Sequence, residues 1–511
     1  MMRGLLIVGA SALVMSGCAT VGPTQAPVET AVAAPERWRA ETQAGSAVEA
    51  GWWSAFGDAA LTAAVEEALA RNTDIAVAES RVREAEAFAA QSRSALSPSL
   101  TGSVAAQEAR ELNAFGQAAE AALAQPQLQV AYEIDLWGRL RSADAAARAS
   151  LQASRFSRDA AALSVAGATA RAYVALAALD AQLEVASRTL VSREDAVTLA
   201  RRRAEAGQTS RLELTQAEAE FQAAAQRIPA LELAIRRQEN ALRLLTGALP
   251  GPVARGRFDA LILPDPGPGL PSTLLARRPD IAQAEAQLVA ADASFASSRA
   301  ALLPQVRLSA SLAELFVEGL DPVTIWSAGG SVLAPLFDGG RLTAQADASE
   351  ARRDQAALAY RRVVLGAFSE VENAMEGVDR LQAQADRAEA QRLALNEAVF
   401  HARNRYRAGY TSYLEELDAQ RGLLTAETAL IQLREMQMTN AIALYQALGG
   451  GWTPPLRPGT FHDQGPASQA PRQTGRSRRD VEDSDHAGSC SPSWARPSCE
   501  APDPGRHVSA Q

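Results

Sequence analysis

The chain says nearly the same thing twice, and that repetition limits what it can fold into more than any other feature. Leu69-Ala70-Arg71-Asn72-Thr73-Asp74-Ile75-Ala76 returns about two hundred residues later as Leu275-Ala276-Arg277-Arg278-Pro279-Asp280-Ile281-Ala282. The match runs on through Ala78-Glu79 and Ala284-Glu285, Arg93 and Arg299, and Leu96-Ser97-Pro98 and Leu302-Leu303-Pro304. A later pair, from Ala206-Gly207-Gln208-Thr209-Ser210 and Ala408-Gly409-Tyr410-Thr411-Ser412, repeats as well. A tandem duplication makes each copy one structural unit. The two copies are expected at 58–250 and 270–455, joined by a linker at 251–269 and built as one intertwined body.

Within each copy the dominant pattern is a very long helix. From about residue 139 to 205 there is no proline and one glycine, Gly167. Leu176, Leu179, Leu183, Leu190 and Val197 follow coiled-coil spacing. The second copy repeats this from about 341 to 407, with Val364, Phe368, Val371, Met375 and Val378 on the stripe. At 1.5 Å per residue each helix is roughly 100 Å long. Two shorter segments flank each one, in the first copy at about 59–95 and 210–245. Stacked end to end they match its length, and Pro229 should kink the returning one. Gly207 and Gly409 stand where the long helices end and reverse, so both tips lie at the same end.

Between the helices the period changes to two. Leu128, Val130, Tyr132 and Ile134 alternate with polar neighbours, as do Val306, Leu308, Ala310 and Leu312. Residues 100–106 and 326–336 are the weaker partners, with turn chemistry near Asn113 to Gly116 and Gly319 to Pro322. Each copy thus carries one β-hairpin with an apolar and a polar face. Four strands cannot close a barrel, and an open edge in lipid leaves backbone groups without partners. If the hairpins span a membrane, the chain must oligomerise; otherwise they form a small sheet capping a soluble helical bundle.

The amino terminus favours the membrane. Met1-Met2-Arg3, an apolar run to Met15 and then Ser16-Gly17-Cys18 have the layout of a secretory signal, too short to span as a helix. Ending in small residues and Cys, segment 1–17 looks like a lipoprotein signal with Cys18 as the lipidated residue; an ordinary signal peptide containing a Cys is the alternative. Residues 18–57 then form a lipid-linked lead-in, and Ala19 rather than Asp after the Cys favours the outer membrane. The tail, 456–511, is rich in Pro, Gly, Ser, Arg and Asp and is expected to be disordered. It holds Cys490, Cys499 and three of the four histidines. Net charge is −9 and every basic side chain is Arg, which argues against nucleic acid as a partner. With no phosphate-binding glycine loop, no metal-ligand cluster and no nucleophile beside a His, no enzyme, cofactor or metal is expected.

The arrangement resembles the TolC-like outer-membrane efflux proteins, in particular the lipoprotein branch serving RND-type pumps. The resemblance covers about 51–452 and rests on Gly51-Trp52-Trp53-Ser54-Ala55-Phe56-Gly57-Asp58, Ala276-Arg277-Arg278-Pro279-Asp280-Ile281, Phe337-Asp338-Gly339-Gly340-Arg341 and Tyr406-Arg407-Ala408-Gly409. It implies a mainly α chain with a membrane β-barrel: a homotrimer with a twelve-helix α-barrel tunnel and a twelve-stranded outer-membrane barrel. It also implies a periplasmic adaptor and an inner-membrane RND pump as partners, besides outer-membrane lipid. The expected role is the outer-membrane exit duct for small molecules such as drugs, with type I protein secretion or heavy-metal export as the alternative.

Carried onto this sequence, the resemblance places a periplasmic gate at the second tip. Leu414 and Asp418, four apart on one helix face, would line the constriction as an apolar and a cation-attracting ring, with Glu415 as a second acidic ring. Tyr406 and Arg407 resemble a latch between neighbouring hairpins, with Glu213 as acceptor. Gly207, Thr209, Ser210, Gly409, Thr411 and Ser412 at the tips would dock the adaptor, although turn geometry alone also accounts for them. A solvated helix face is the rival account of each charge.

Overall fold

The structure, a computed structural model, describes residues 32–39, 48–112 and 115–454. Cys18, the signal segment and the tail cysteines and histidines lie outside the described residues, as do Asn113 and Ala114 of the first strand turn.

Nine α-helices and four strands are found among the described residues, besides two short 3-10 turns at Trp52–Phe56 and Phe258–Ala260. The first copy runs α1 (Ala59–Arg71), α2 (Thr73–Ser94), β1 (Ser99–Leu112), β2 (Ala118–Ile134), α3 (Arg139–Glu205), α4 (Arg211–Ala225) and α5 (Arg227–Leu245). The second runs α6 (Pro271–Arg277), α7 (Pro279–Ala300), β3 (Gln305–Val317), β4 (Val323–Leu333), α8 (Arg341–Arg407) and α9 (Tyr413–Ala447). The two long helices, α3 and α8, have 67 residues each. The returning helix of the first copy breaks at Gln226, one turn before Pro229, where the missing proline N–H leaves the Ala225 carbonyl without its partner.

Helices α2, α4 and α5 pack along α3, while α7 and α9 lie in line in the groove between α3 and α8. The layer therefore reads α2 above α5 and α4, then α3, then α7 above α9, then α8. Second-copy helices thus share a groove with the long helix of the first copy. The apolar core lies at mid-length, where Tyr173, Leu176, Leu61, Phe56 and Trp52 meet Met438, Ile442 and Tyr445. A strap from the amino-terminal side closes over it; Trp52 stacks on Tyr445 at 5.0 Å. The stretch of α3 apolar enough to cross a bilayer is largely buried in this bundle.

The repeated motif turns out to be a helix break that clamps the returning helix. Asn72 and Arg278 both leave the helical region, at φ −63 ψ 134 and φ −109 ψ 124; Pro279 forces this at Arg278. The Asn72 side chain caps α2 and donates to the Leu245 carbonyl at 2.8 Å. Arg278 donates to the equivalent carbonyl, Ala447, at 3.0 Å, while gripping Asp280 at 2.7 Å and Glu370 at 2.7 Å. Gly247 and Gly449 turn at positive φ against the carbonyls of Arg71 and Arg277, where a Cβ would sit 2.5 and 1.9 Å from oxygen. The flanking segment predicted as one helix over 59–95 is split for this reason.

The strands form one antiparallel sheet in the order β1-β2-β3-β4. The weaker partners are longer or shifted: β1 reaches Leu112, and β4 spans Val323–Leu333 rather than 326–336. Pairing of β2 with β3 lapses at Gln125 and Pro126, because proline has no N–H for the ladder.

Candidate functional site: an open-edged sheet and a clasped helical tip

Register fixes the two faces of the sheet. Leu100, Val130, Ala310 and Ala328 form one row, Gly102, Leu128, Leu312 and Trp326 the next, and Ile134, Val306 and Val332 a third. The other face carries rows such as Thr101, Gln129, Ser311 and Ser327. The apolar rows are bare: Trp326 is 77% exposed and Val104 75%. From Val306 to Phe316 this face covers about 33 Å of strand, or roughly 25 Å of height at the usual tilt, the thickness of a lipid band. Glu314 interrupts it once, beside Thr324. Beyond it Arg110 and Glu120 pair at 3.4 Å on exposed ground. Among the described residues the outer edges of β1 and β4 pair with nothing.

At the far end of α3 and α8 the two tips are built alike. Gly207 (φ 69) and Gly409 (φ 79) close each long helix, with Gln208 N donating to the Arg203 carbonyl at 2.8 Å and Tyr410 N to Arg405 at 3.0 Å. Thr209 donates to Glu213 at 2.5 Å, and Thr411 to Glu415 at 2.6 Å. Ser210 and Ser412 stand at the N-caps of α4 and α9, and Ser210 accepts from Glu213 N at 3.3 Å.

The tips then diverge. Tyr406 is 2% exposed and donates to Glu213 at 2.6 Å, joining the second hairpin to the first. Burial, reinforced by this carboxylate, pushes the Tyr406 phenol well above its usual pKa. The Arg203 guanidinium lies 4.6 Å over the Tyr406 ring and donates to the carbonyls of Tyr406 and Arg407 at 3.2 and 3.1 Å. It therefore caps α8 from the neighbouring hairpin. Arg407, expected in the latch, is exposed and its side chain pairs with nothing among the described residues; the guanidinium at the clasp is that of Arg203. Leu414 and Asp418 are both exposed on one face of α9. Glu415 is held by Thr411 and lies 3.6 Å from Arg405.

Two features escaped the sequence reading. One is a buried polar network above the clasp. Arg193 is fully enclosed and donates to Gln420; Gln420 donates to Glu416 at 2.7 Å, and Arg403 binds Glu416 at 3.1 Å and Ser192 at 3.0 Å. Arg421 pairs with Glu220 beside it. Burial pushes the adjoining Tyr413 hydroxyl up, against the lowering effect of Arg193. Arg193 occupies a seam position of the stripe between Leu190 and Val197, and that was the available signal. The other is Tyr410, 81% exposed at the apex of the second tip.

The outer membrane efflux protein family profile matches residues 64–248 and 270–450, one copy each. The chain is 34% identical over 468 residues to the pyoverdine export outer membrane protein OpmQ of Pseudomonas aeruginosa, covering 88% of this chain and 97% of that protein. It is 31% identical over 478 residues to the toluene efflux pump outer membrane protein TtgC of Pseudomonas putida, covering 88% and 96%. The fold superposes on the outer-membrane channel OprN with a TM-score of 0.77 at 28% identity, over 85% of this chain and all of that one.

Proposed function

Because the chain belongs to the outer membrane efflux protein family, we propose that it works as the exit duct of a tripartite, RND-type efflux system, assembled as a homotrimer with a periplasmic adaptor and an inner-membrane pump. It is an outer-membrane efflux channel that spans the outer membrane and extends into the periplasm. The observation that carries the assembly is the sheet: a bare apolar face with two unpaired edges. An edge of that kind is untenable in lipid until β4 of one protomer meets β1 of the next. Three such sheets make a twelve-stranded barrel. Lipidation at Cys18 would add an anchor worth about 0.8 kcal/mol per buried CH₂.

The family is made up of channel proteins, and this chain has no catalytic part to play in the proposal. The cargoes named for the relatives differ, pyoverdine for one and toluene for another, so cargo choice is assigned to the pump. Type I protein secretion or heavy-metal export would be the alternative use of such a duct, and no particular residue favours it. The closed end is the tip: Leu414 and Asp418 ring the constriction, Glu415 lies beside them, and the Tyr406–Glu213 clasp with Arg203 holds the hairpins together. Arg407 is left free to reach a neighbouring protomer. Gly207, Thr209, Ser210, Gly409, Thr411 and Ser412 form the docking turns for the adaptor, with Tyr410 as an aromatic anchor at their apex.

The deciding experiment is reconstitution of the purified protein into planar bilayers. Discrete channels from a heat-modifiable trimer are expected, with a small conductance that rises in Asp418→Ala combined with Tyr406→Phe. A detergent-free, water-soluble monomer without conductance would overturn the assembly; unchanged conductance in the double variant would overturn the gate.

A further inference from the structure

Where α9 ends beneath α7, a cleft of about 540 Å³ opens, lined by residues of α3, α7, α8 and α9. That is the size of pocket that holds a drug-sized molecule. The strap and linker cover a different side of the same helices: Tyr173 holds Asp58 and Gly256, and Leu263 to Pro268 cover Met375, Val378, Ala441 and Leu444. The cleft residues Arg171, Asn373 and Gln446 lie roughly 140–160° around their helices from that covered stripe, and Asn440 lies at the seam with α8, donating to the Ala374 carbonyl at 2.8 Å. In a tubular assembly with strap and linker outside, the cleft faces the lumen.

Its charges do not cancel locally. Arg278 is satisfied twice, by Asp280 and Glu370. Arg171 meets no carboxylate among the described residues; its hydrogen bond goes to the neutral amide of Gln446. Burial lowers its guanidinium below the ordinary value, the mark of a cation partly stripped of water without an anion in exchange. The cleft sits in the middle of the helical layer, between α3 and α8, while the protomer's flanks are α2, α4 and α5 on one side and the free side of α8 on the other.

We propose that this cleft is a binding station for the carboxylate of a small organic molecule on the wall of the conduit, with Arg171 as the anion-binding residue and the amides of Asn373 and Asn440 as further hydrogen-bonding groups. The inference rests on the conduit reading above. Arg171 supplies one surplus positive charge, and Asp280 and Glu370 leave one surplus negative charge across the cleft. A monocarboxylate therefore suits it better than a phosphate dianion, and an amine at the other end of the molecule adds to the fit. Three stations would ring the lumen of a trimer.

The test uses two dyes that differ by one carboxylate, ε-dansyl-lysine and dansylcadaverine, titrated by fluorescence into the purified full-length protein. Saturable binding of the carboxylate dye is expected, about 10- to 100-fold tighter than its partner, the worth of one charge-assisted hydrogen bond. Arg171→Gln should erase that preference, and Arg171→Lys should retain part of it. Equal affinities for the two dyes, no saturable binding, or a preference that survives Arg171→Gln would overturn the site. Each preparation is also run in planar bilayers: conductance without dye preference defeats the station alone, whereas absent conductance defeats the conduit.

Discussion

The clasp between the tips can be removed one atom at a time. Tyr406→Phe deletes the hydroxyl that donates to Glu213 at 2.6 Å and leaves the rest in place. Arg203 still has an aromatic face beneath it, and Glu213 still accepts from Thr209 at 2.5 Å. The loss is thus a single bond to a carboxylate, worth about 1.5–3 kcal/mol when well shielded. Glu213 is half-buried, so about 1–2 kcal/mol is the fair figure. If opening breaks the clasp in all three protomers of the proposed trimer, the closed state loses about 3–6 kcal/mol. Roughly 5.5 kcal/mol carries a two-state equilibrium from 1:99 to 99:1. A single hydroxyl, lost three times, is therefore enough to move a closed channel most of the way to open.

Single-channel recording of trimers in planar bilayers reads this directly, as a rise in conductance or in open time. Glu213→Gln, which keeps an acceptor but not the charge, should fall between wild type and Tyr406→Phe. Arg203→Leu should act in the same direction by another route, since it uncaps α8 at the Tyr406 and Arg407 carbonyls and removes the cation over the Tyr406 ring. Conductance equal to wild type in a Tyr406→Phe trimer that remains heat-modifiable would refute the reasoning, because the clasp would then not lie on the opening path.

Arg278→Ala should destabilise more than Asn72→Ala although the two positions are equivalent: each strands a carbonyl of the returning helix, Ala447 or Leu245, at about 1–3 kcal/mol, but Arg278→Ala also deletes a large buried side chain and its ion pairs to Asp280 and Glu370, read from thermal melts of the purified protein. Asp292 has its carboxyl pKa raised by burial, with Arg353 only partly offsetting this. Its contribution to stability is present below the ordinary carboxyl pKa near ~4 and lost as pH rises through the higher folded value. Asp292→Asn should therefore melt above wild type at neutral pH, with the gap closing near ~pH 4. Tyr410→Ala should leave trimer yield and conductance unchanged while reducing efflux in cells; normal efflux would remove it from the docking surface.

Much of this architecture can be read from period alone. The 67-residue helices are uninterrupted because nothing in their sequences breaks them, and their bounds follow from Gly138, Gly207, Gly340 and Gly409. The strands are legible because the apolar face alternates through β2 and β3, with Glu314 as the one break between Val306 and Phe316. What period does not carry is the chemistry of single breaks and long reaches. Asn72 looks like an ordinary helix residue until its side chain is seen on Leu245, far along the chain. Arg203 gives no local sign of crossing to the other hairpin to cap α8, whereas Arg407, adjacent to the clasp in sequence, is turned away from it. Arg193 did leave a trace, since a charge at a seam position lowers stability unless it specifies something. Here it reaches α9, so the polar network sets how the first hairpin registers against the second.

The duplication separates structural residues from functional ones. Whatever both copies keep serves the common hairpin: the helix break, the clamp on the returning helix, the Schellman glycine, and the Thr-to-Glu bond that steadies each tip. Whatever only one copy has must answer to something the pair does together. Tyr406, Asp418 and Glu416 have Ala204, Gln216 and Leu214 as their first-copy counterparts, and Arg193 faces Leu395. These differences gather at one end, where the second hairpin supplies the exposed Asp418 and the first supplies the groups that hold it. A symmetric ring of twelve equal helices would have no reason for that asymmetry. A ring in which one hairpin of each pair swings while the other serves as its post would, and it predicts that charge-removing substitutions alter conductance far more in α9 than at the matching positions of α4.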